Sequence, residues 1–324
     1  MAYTNITLQH ILNIITASLK RKFHRLFFLE NWNVYVINEN ISNFLAKPSL
    51  DKTIYKTTSS CFNFHADPCI ISDQNCIHLF IEKLHTITNI GTIIYQTLSP
   101  TGELKDSFTI SGITKTKHLS FPSIIEENGI CYMIPECIQS NRIAIYEVNK
   151  TNGKCSLKNI LLENVKYVDI AVHKKGNIYY IFASTIKNCK DTDLDLFYTD
   201  NLITGKLTEH PCSPIRTGNY GSRMSGGVFE LHGDLIRPGQ FSQLTYGDGI
   251  CLYNITALTK EEYTEELVYQ ICGKELGFDG LHTISVSGNF IAIDVKKHSC
   301  DARKLIVKLL RLIGFHHIYK HLPK

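Results

Sequence analysis

The chain has no Cys-x-x-Cys pair, although 11 cysteines are scattered through its 324 residues. Single thiols do not build zinc or iron–sulfur sites, and no His-Glu-x-x-His helix compensates, so neither a metal nor a cofactor is expected. An odd number of cysteines, many beside apolar strand residues, suits a reducing cytoplasm better than a disulfide framework. Gly-x-Ser-x-Gly and Gly-x-x-x-x-Gly-Lys are missing too, which weighs against a serine hydrolase and a P-loop enzyme. Charge excess is small: 34 Lys and Arg against 30 Asp and Glu leave +4. With no arginine–glycine tract or aromatic RNA-binding strand, nucleic acid is not an expected partner. The apolar run Ile11–Leu19 falls short of the roughly 20 residues needed to span a bilayer. Its charges (Lys20, Arg21, Lys22, Arg25) follow it, the wrong order for a secretory signal.

What remains is 44% apolar and only 20% charged, enough for a buried core. Three regions emerge. Residues 1–30 carry Leu8, Ile11, Leu12, Ile15 and Leu19 at helical spacing and read as an amphipathic helical extension. Residues 31–297 alternate β-branched and aromatic runs with Gly, Asn and Asp turns. Residues 298–324 return to a basic amphipathic helix, with Leu305, Ile306, Leu309 and Leu310 opposing Arg303, Lys304, Lys308 and Arg311. Such helices either pack on the central region or lie in a membrane interface with Lys and Arg on anionic lipid. The second alternative gives peripheral contact on the inner membrane face.

Within 31–297 five blocks open at Asp67, Ser120, Asp169, Ser225 and His282, at separations of 53, 49, 56 and 57 residues. A near-constant step of this length predicts an all-β, five-bladed β-propeller flanked by amphipathic helices at both termini. Closure requires that sheet edges be covered, so the early run Asn31–Asn38 is expected to complete the last blade, with Asn40–Ser60 as the link to the first.

The openings are expected to point at one funnel. Asp67, between Ala66 and Pro68, has a restrained backbone; it is either an active-site acid or an Asx turn. Asp169 lies in an apolar strand, where an unpaired carboxylate is expensive, and its structural alternative is a core arginine partner. Glu136 and Glu82 end apolar strands of successive blocks, and a carboxyl in an apolar wall has a raised pKa and can donate a proton near neutrality. Together these acids suit glycosidic-bond chemistry, with Asp67, Glu136 and Asp169 as catalytic candidates. Arg223, Arg237 and Gln240 are candidates for substrate recognition, because arginine grips carboxylate or phosphate in a bidentate manner; structural ion pairs are their alternative. His118, His282 and Asp294, with Glu82, complete the expected substrate contacts.

Ordered motifs add a resemblance. His65-Ala66-Asp67-Pro68, Phe80-Ile81-Glu82-Lys83, His118-Leu119-Ser120-Phe121-Pro122 and Tyr132-Met133-Ile134-Pro135-Glu136 come first. Leu196-Phe197-Tyr198-Thr199-Asp200, His210-Pro211, Ile236-Arg237-Pro238-Gly239-Gln240, Tyr246-Gly247 and His282-Thr283 follow. The succession, over about residues 60–297, resembles the amino-terminal type of glucosamine inositolphosphorylceramide transferases, and through it the propeller of family-43 glycosidases. The resemblance implies that Asp67 is a general base and that Asp169 tunes the acid. In the fourth blade, where those glycosidases carry a glutamate, this chain offers Arg223 and Ser225, with Glu230 further on; Glu136 is the acid candidate instead. The expected function is a glycoside hydrolase-like enzyme acting on a glycolipid or surface-polysaccharide (lipopolysaccharide-type) sugar. The alternative is a glycosyltransferase, or a non-catalytic carbohydrate-binding propeller attached to one.

Overall fold

The computed structural model describes residues 28–60, 62–114, 117–186, 192–242 and 246–300, and beyond them Ile306, Leu309 and Leu310 in helical conformation. The amphipathic helices expected over 1–30 and 298–324 otherwise lie outside the described residues, and their inner boundaries shift, because Phe28–Glu30 and His298–Cys300 are strand. Among the described residues no helix is long and apolar enough to cross a membrane.

The chain begins with β1 (Phe28–Asn38), the short helix α1 (Ile41–Ala46) and β2 (Thr53–Lys56). Blade one follows as β3 (Asn63–Ser72), β4 (Ile77–His85), β5 (Ile90–Leu98) and β6 (Leu104–Thr109). Blade two is β7 (Ser120–Glu127), β8 (Ile130–Glu136), β9 (Arg142–Asn149) and β10 (Lys154–Glu163). Blade three is β11 (Val168–Lys175), β12 (Ile178–Ile186) and β13 (Thr192–Thr199), edged by β14 (Thr208–Glu209) and β15 (Arg216–Thr217). Blade four holds β16 (Tyr220–Met224), β17 (Phe229–Leu231), β18 (Asp234–Phe241), β19 (Gly249–Leu258) and β20 (Tyr263–Cys272). β21 (Gly280–Ser287) and β22 (Phe290–Cys300) start blade five, which β1 and β2 finish in the order β2-β1-β22-β21.

The closing strand is therefore where closure demanded it, paired antiparallel from Phe28↔Cys300 to Asn38↔Phe290. The stretch expected as a plain link instead supplies α1 and the fourth strand of the last blade.

Each seam between blades has its own apolar cluster. Phe80, Ile93 and Tyr95 of blade one pack on Met133, Ala144 and Tyr146 of blade two. Ile134, Ile143 and Ile145 meet Ile170, Tyr179 and Ile181 across the next seam. Phe182, Leu194 and Leu196 then meet Met224 and Ile255; Ile250, Leu252 and Ile271 meet Ile284, Ile291 and Ile293. Val34, Val36 and Ala292 close the circle on Ile70, Leu79 and Ile81. Central strands are covered on both faces, so β4 reads as a buried run, whereas the outer β6 (Leu-Lys-Asp-Ser-Phe-Thr) is exposed and charged, as an uncovered edge requires.

The innermost strands leave one row of N–H groups without a strand partner, and side chains of the preceding blade take them up. Ser123 Oγ accepts from Val172 N–H at 3.1 Å, Ser184 Oγ from Met224 N–H at 3.3 Å and Ser285 Oγ from Ile70 N–H at 3.0 Å.

Deleting residues 1–38 should remove the partner of β22 and expose its edge. Far-UV circular dichroism is expected to show loss of the single cooperative melt; a deletion that melts as sharply as the whole chain would disprove closure by β1.

Candidate functional site: an acid-lined funnel

Four innermost strands are irregular near the same end. The register skips between Ala66 and Cys69, Ser120 and Ser123, Val168 and Ala171, and Leu281 and Ile284, leaving a β-bulge at 67, 121, 169 and 282. A bulge bends the strand and re-aims a side chain. At Asp67, Phe121 and Asp169 the backbone is left-handed, with φ of 50°, 41° and 48°. For residues with a Cβ this costs of order 1–3 kcal/mol and marks a constrained site. In blade four a wider skip between Tyr220 and Arg223 falls on Gly221. The true repeat thus runs through Phe121 and Gly221, and not through Ser120 and Ser225. Asp67, Asp169 and His282 keep their predicted places.

Asp67 is held by four groups. Its Oδ1 lies 3.1 Å from His282 Nε2 and accepts from Thr283 Oγ1 at 3.2 Å; its Oδ2 accepts from Phe121 N–H at 3.3 Å. Its own N–H donates to Asp294 Oδ2 at 3.0 Å. Burial alone would raise the Asp67 pKa, but the hydrogen bond and charge of His282 outweigh it and keep the carboxyl below its usual range. Asp294 is wholly buried and also accepts the N–H groups of His282 (3.1 Å) and Thr283 (2.9 Å), while His282 Nδ1 approaches its Oδ2 to 2.8 Å. Asp294 is therefore a staple beneath the funnel, not the substrate contact expected.

A second group of acids comes from blades one, two and three. Glu136 and Glu82 stand opposite Ser120 and Ala66, each the residue before the bulge, so they are equivalent positions of successive blades. Glu136 Oε2 accepts from Asp169 N–H at 2.9 Å, and Arg223 Nε lies 2.5 Å from Asp169 Oδ2. Burial, then the Asp169 charge, push the Glu136 pKa up to about 8, despite the opposing Asp169 N–H and Arg223. Asp169 is raised by burial, with Arg223 pulling it back. Burial and the Asp67 and Glu136 charges hold Glu82 well above the carboxylate range. His118 adjoins this group: its Nδ1 accepts from Gly91 N–H at 2.8 Å, and its Nε2 lies 3.1 Å from Ser120 Oγ and 3.4 Å from Glu82 Oε1. Gly91 has no room for a side chain, since a Cβ would stand 2.2 Å from Glu82 Oε1.

An aromatic wall escaped residue-by-residue reading. Tyr246, 45% exposed, has its ring 5.4 Å from the Arg223 guanidinium and 5.4 Å from the His282 ring, which rests on buried Trp32 at 4.3 Å. The available sign was Tyr246-Gly247: Gly247 has φ +68°, and a Cβ there would meet Trp32 at 2.7 Å. Arg237 is a correction in the other direction. It is fully buried and bound in bidentate fashion to Glu265 (2.6 and 2.7 Å), with Gly221 O at 2.9 Å, so its guanidinium is spent on blade four. Gln240 is buried and donates to Met224 O at 2.9 Å, again a structural contact. Glu230 lies exposed on β17 and does not supply a fourth-blade acid to the funnel.

Asp67, His282 and Asp294 bring three donor atoms within 4.8 Å of one another. A metal needs a neutral ring nitrogen. Burial favours the neutral His282 ring, but the Asp294 carboxylate and the contact with Asp67 hold its pKa well above the ordinary value. With no ion between them, the three groups form an imidazolium held by two carboxylates.

Fold and funnel define a five-bladed β-propeller with paired acids at its mouth. The model of the family "Glucosamine inositolphosphorylceramide transferase 1, N-terminal" matches residues 23–278, and the chain belongs to that family. It is 29% identical over 208 residues to glucosamine inositolphosphorylceramide transferase 1 of Oryza sativa subsp. japonica, covering 63% of this chain and 28% of that protein. The Arabidopsis thaliana protein of the same name is also 29% identical over 208 residues, 63% of this chain and 27% of its own length. The chain thus spans less than a third of these relatives. Among solved structures, an α-L-arabinofuranosidase of Podospora anserina has a TM-score of 0.53 at 10% identity, covering 75% of this chain and 93% of that one. An exo-β-1,3-galactanase of Phanerochaete chrysosporium has a TM-score of 0.52 at 13% identity, covering 67% and 52%. These likenesses establish the fold.

Glu136 also sets a pH dependence of stability. Its folded pKa of about 8 exceeds the ordinary 4.5, so the folded state binds more protons between these values. Stability should therefore fall as pH rises through that window, and Glu82 acts in the same direction. Glu136→Gln is expected to flatten the decline of melting temperature between pH 5 and 8; an unchanged slope would show that Glu136 titrates normally.

Proposed function

We propose that the funnel is a glycan-active site working by carboxylate acid/base catalysis on a glycolipid or surface-polysaccharide sugar. The observation that carries this reading is the contrast between two buried acids: Asp67 meets the His282 ring, the Thr283 hydroxyl and the Phe121 N–H, whereas Glu136 accepts the Asp169 N–H beside another acid, which with burial pushes its pKa up to about 8. In this scheme Glu136 gives its proton to the glycosidic oxygen as the bond to the anomeric carbon breaks. Asp67 takes a proton from the incoming water, or from an acceptor hydroxyl in a transfer. Asp169 and Arg223 set the Glu136 proton affinity, and Tyr246 offers a ring face to the sugar. The transferase name of the relatives and the glycosidase names of the fold neighbours support a carbohydrate ligand. Cytoplasmic placement, with the two basic terminal segments on the inner membrane face, belongs to the same proposal.

A second reading, a non-catalytic sugar-binding domain serving a transferase, is favoured by one observation. Asp169 is locked to Arg223, the residue that the fourth blade brings there, and among its described residues that blade adds no acid to the funnel.

Purified protein should be screened against lipopolysaccharide-derived glycans and aryl glycosides. Asp67→Asn and Glu136→Gln are each expected to lower turnover by about 10²–10⁴-fold. The wild-type rate should decline above about pH 8 as Glu136 loses its proton. Turnover untouched by Asp67→Asn would sink the catalytic assignment. Glycan binding without turnover, abolished by Tyr246→Ala, would establish the second reading.

A further inference from the structure

A second cavity, of about 100 Å³, lies in the seam between blades one and two. Its walls come from the β6–β7 connection (Ile113, Thr114, Lys117), the end of β8 with its hairpin (Pro135, Cys137, Ser140) and the facing side of β9 (Arg142, Ala144, Tyr146). The start of β7, the end of β8 and the start of β9 share one end of the antiparallel sheet, the end that carries the funnel acids. Glu136, between Pro135 and Cys137, turns the other way, to Asp169.

The lining is cationic and hydroxylic. Arg142 donates to Tyr146 Oη at 3.2 Å through one terminal nitrogen, but its Nε is buried with no hydrogen-bond partner. A buried guanidinium N–H without an acceptor is costly and calls for one. Among the described residues neither Arg142 nor Lys117 has a carboxylate within ion-pair distance. Glu163 stands opposite Arg142 in the β9–β10 register but is exposed and makes no such pair. Pockets that enclose drug-sized ligands run to roughly 300–1,000 Å³, and this smaller space suits a single oxyanion. The guanidinium fork matches the oxygens of a phosphate group, and a lysine adds a point charge.

We propose that this seam pocket binds the phosphate group of a phosphate ester, through Arg142 and Lys117 with the Tyr146 hydroxyl, beside the funnel. The assignment does not depend on the funnel being catalytic.

Isothermal titration calorimetry of the full chain with inorganic phosphate at low ionic strength is expected to show one saturable site. Lys117→Gln and Arg142→Gln should each weaken it at least tenfold, whereas Asp67→Asn should leave it unchanged. This last variant separates the pocket from the acid/base reading. Lys117 is exposed, so Lys117→Gln carries the test if Arg142→Gln fails to melt like the wild type. Flotation with phosphatidylcholine vesicles containing phosphatidylinositol distinguishes the source. Binding that phosphate competes away and Arg142→Gln abolishes indicates a lipid-linked ester; phosphate binding without flotation indicates a soluble one. Absence of both, or binding indifferent to both substitutions, overturns the proposal.

Discussion

Carboxylates of one blade accepting backbone N–H groups of the next are the interaction on which both the ring and the funnel depend. Asp294 of the last blade takes the Asp67 N–H of the first, Asp67 takes the Phe121 N–H of the second, and Glu136 of the second takes the Asp169 N–H of the third. Near the axis the inner strands have no further strand to pair with, so these donors must find acceptors elsewhere. Serines do this work deeper in the channel, and acids do it at the mouth. The mouth is therefore built from charge that folding already requires.

That double duty explains the contrast between the acids. Asp67 receives an imidazolium as well as backbone donors, and so remains ionised in a buried place. Glu136 receives one N–H and shares its surroundings with Asp169, whose cation Arg223 it does not contact directly. A carboxyl with so little compensation keeps its proton. Two carboxyls thereby have their pKa values moved in opposite directions by their surroundings. Arg237 shows the same economy in reverse: a buried cation closed by Glu265 stiffens blade four and leaves nothing for a ligand.

The seam pocket differs from both. Its cation Arg142 is partly buried yet meets no carboxylate among the described residues, and its own blade supplies the Tyr146 hydroxyl instead of an acid. The seam pocket lies at the same end of blade two as the funnel acid Glu136.

The five-step repeat, the closing strand Asn31–Asn38 and the buried acids Asp67, Asp169 and Glu136 were legible in the chain alone. Strand periodicity, edge closure and the cost of an acid in an apolar run are local or counting constraints, and they survive without coordinates. The repeat was misread by one residue at Phe121 and by four at Gly221, because a bulge is a two-strand event: only the partner strand reveals which residue is extra. Arg237, Gln240 and Asp294 looked like ligand contacts for a related reason. Residue type declares that a polar group needs a partner, but Glu265, Met224 and the His282 backbone come from distant or facing strands that composition cannot align. Tyr246 and Trp32 lie 214 residues apart and meet only because blade five is closed by the amino-terminal strand. The sequence by itself determined which groups must be buried and paired; tertiary structure decided with whom, because pairing energies depend on distances that ring closure alone creates.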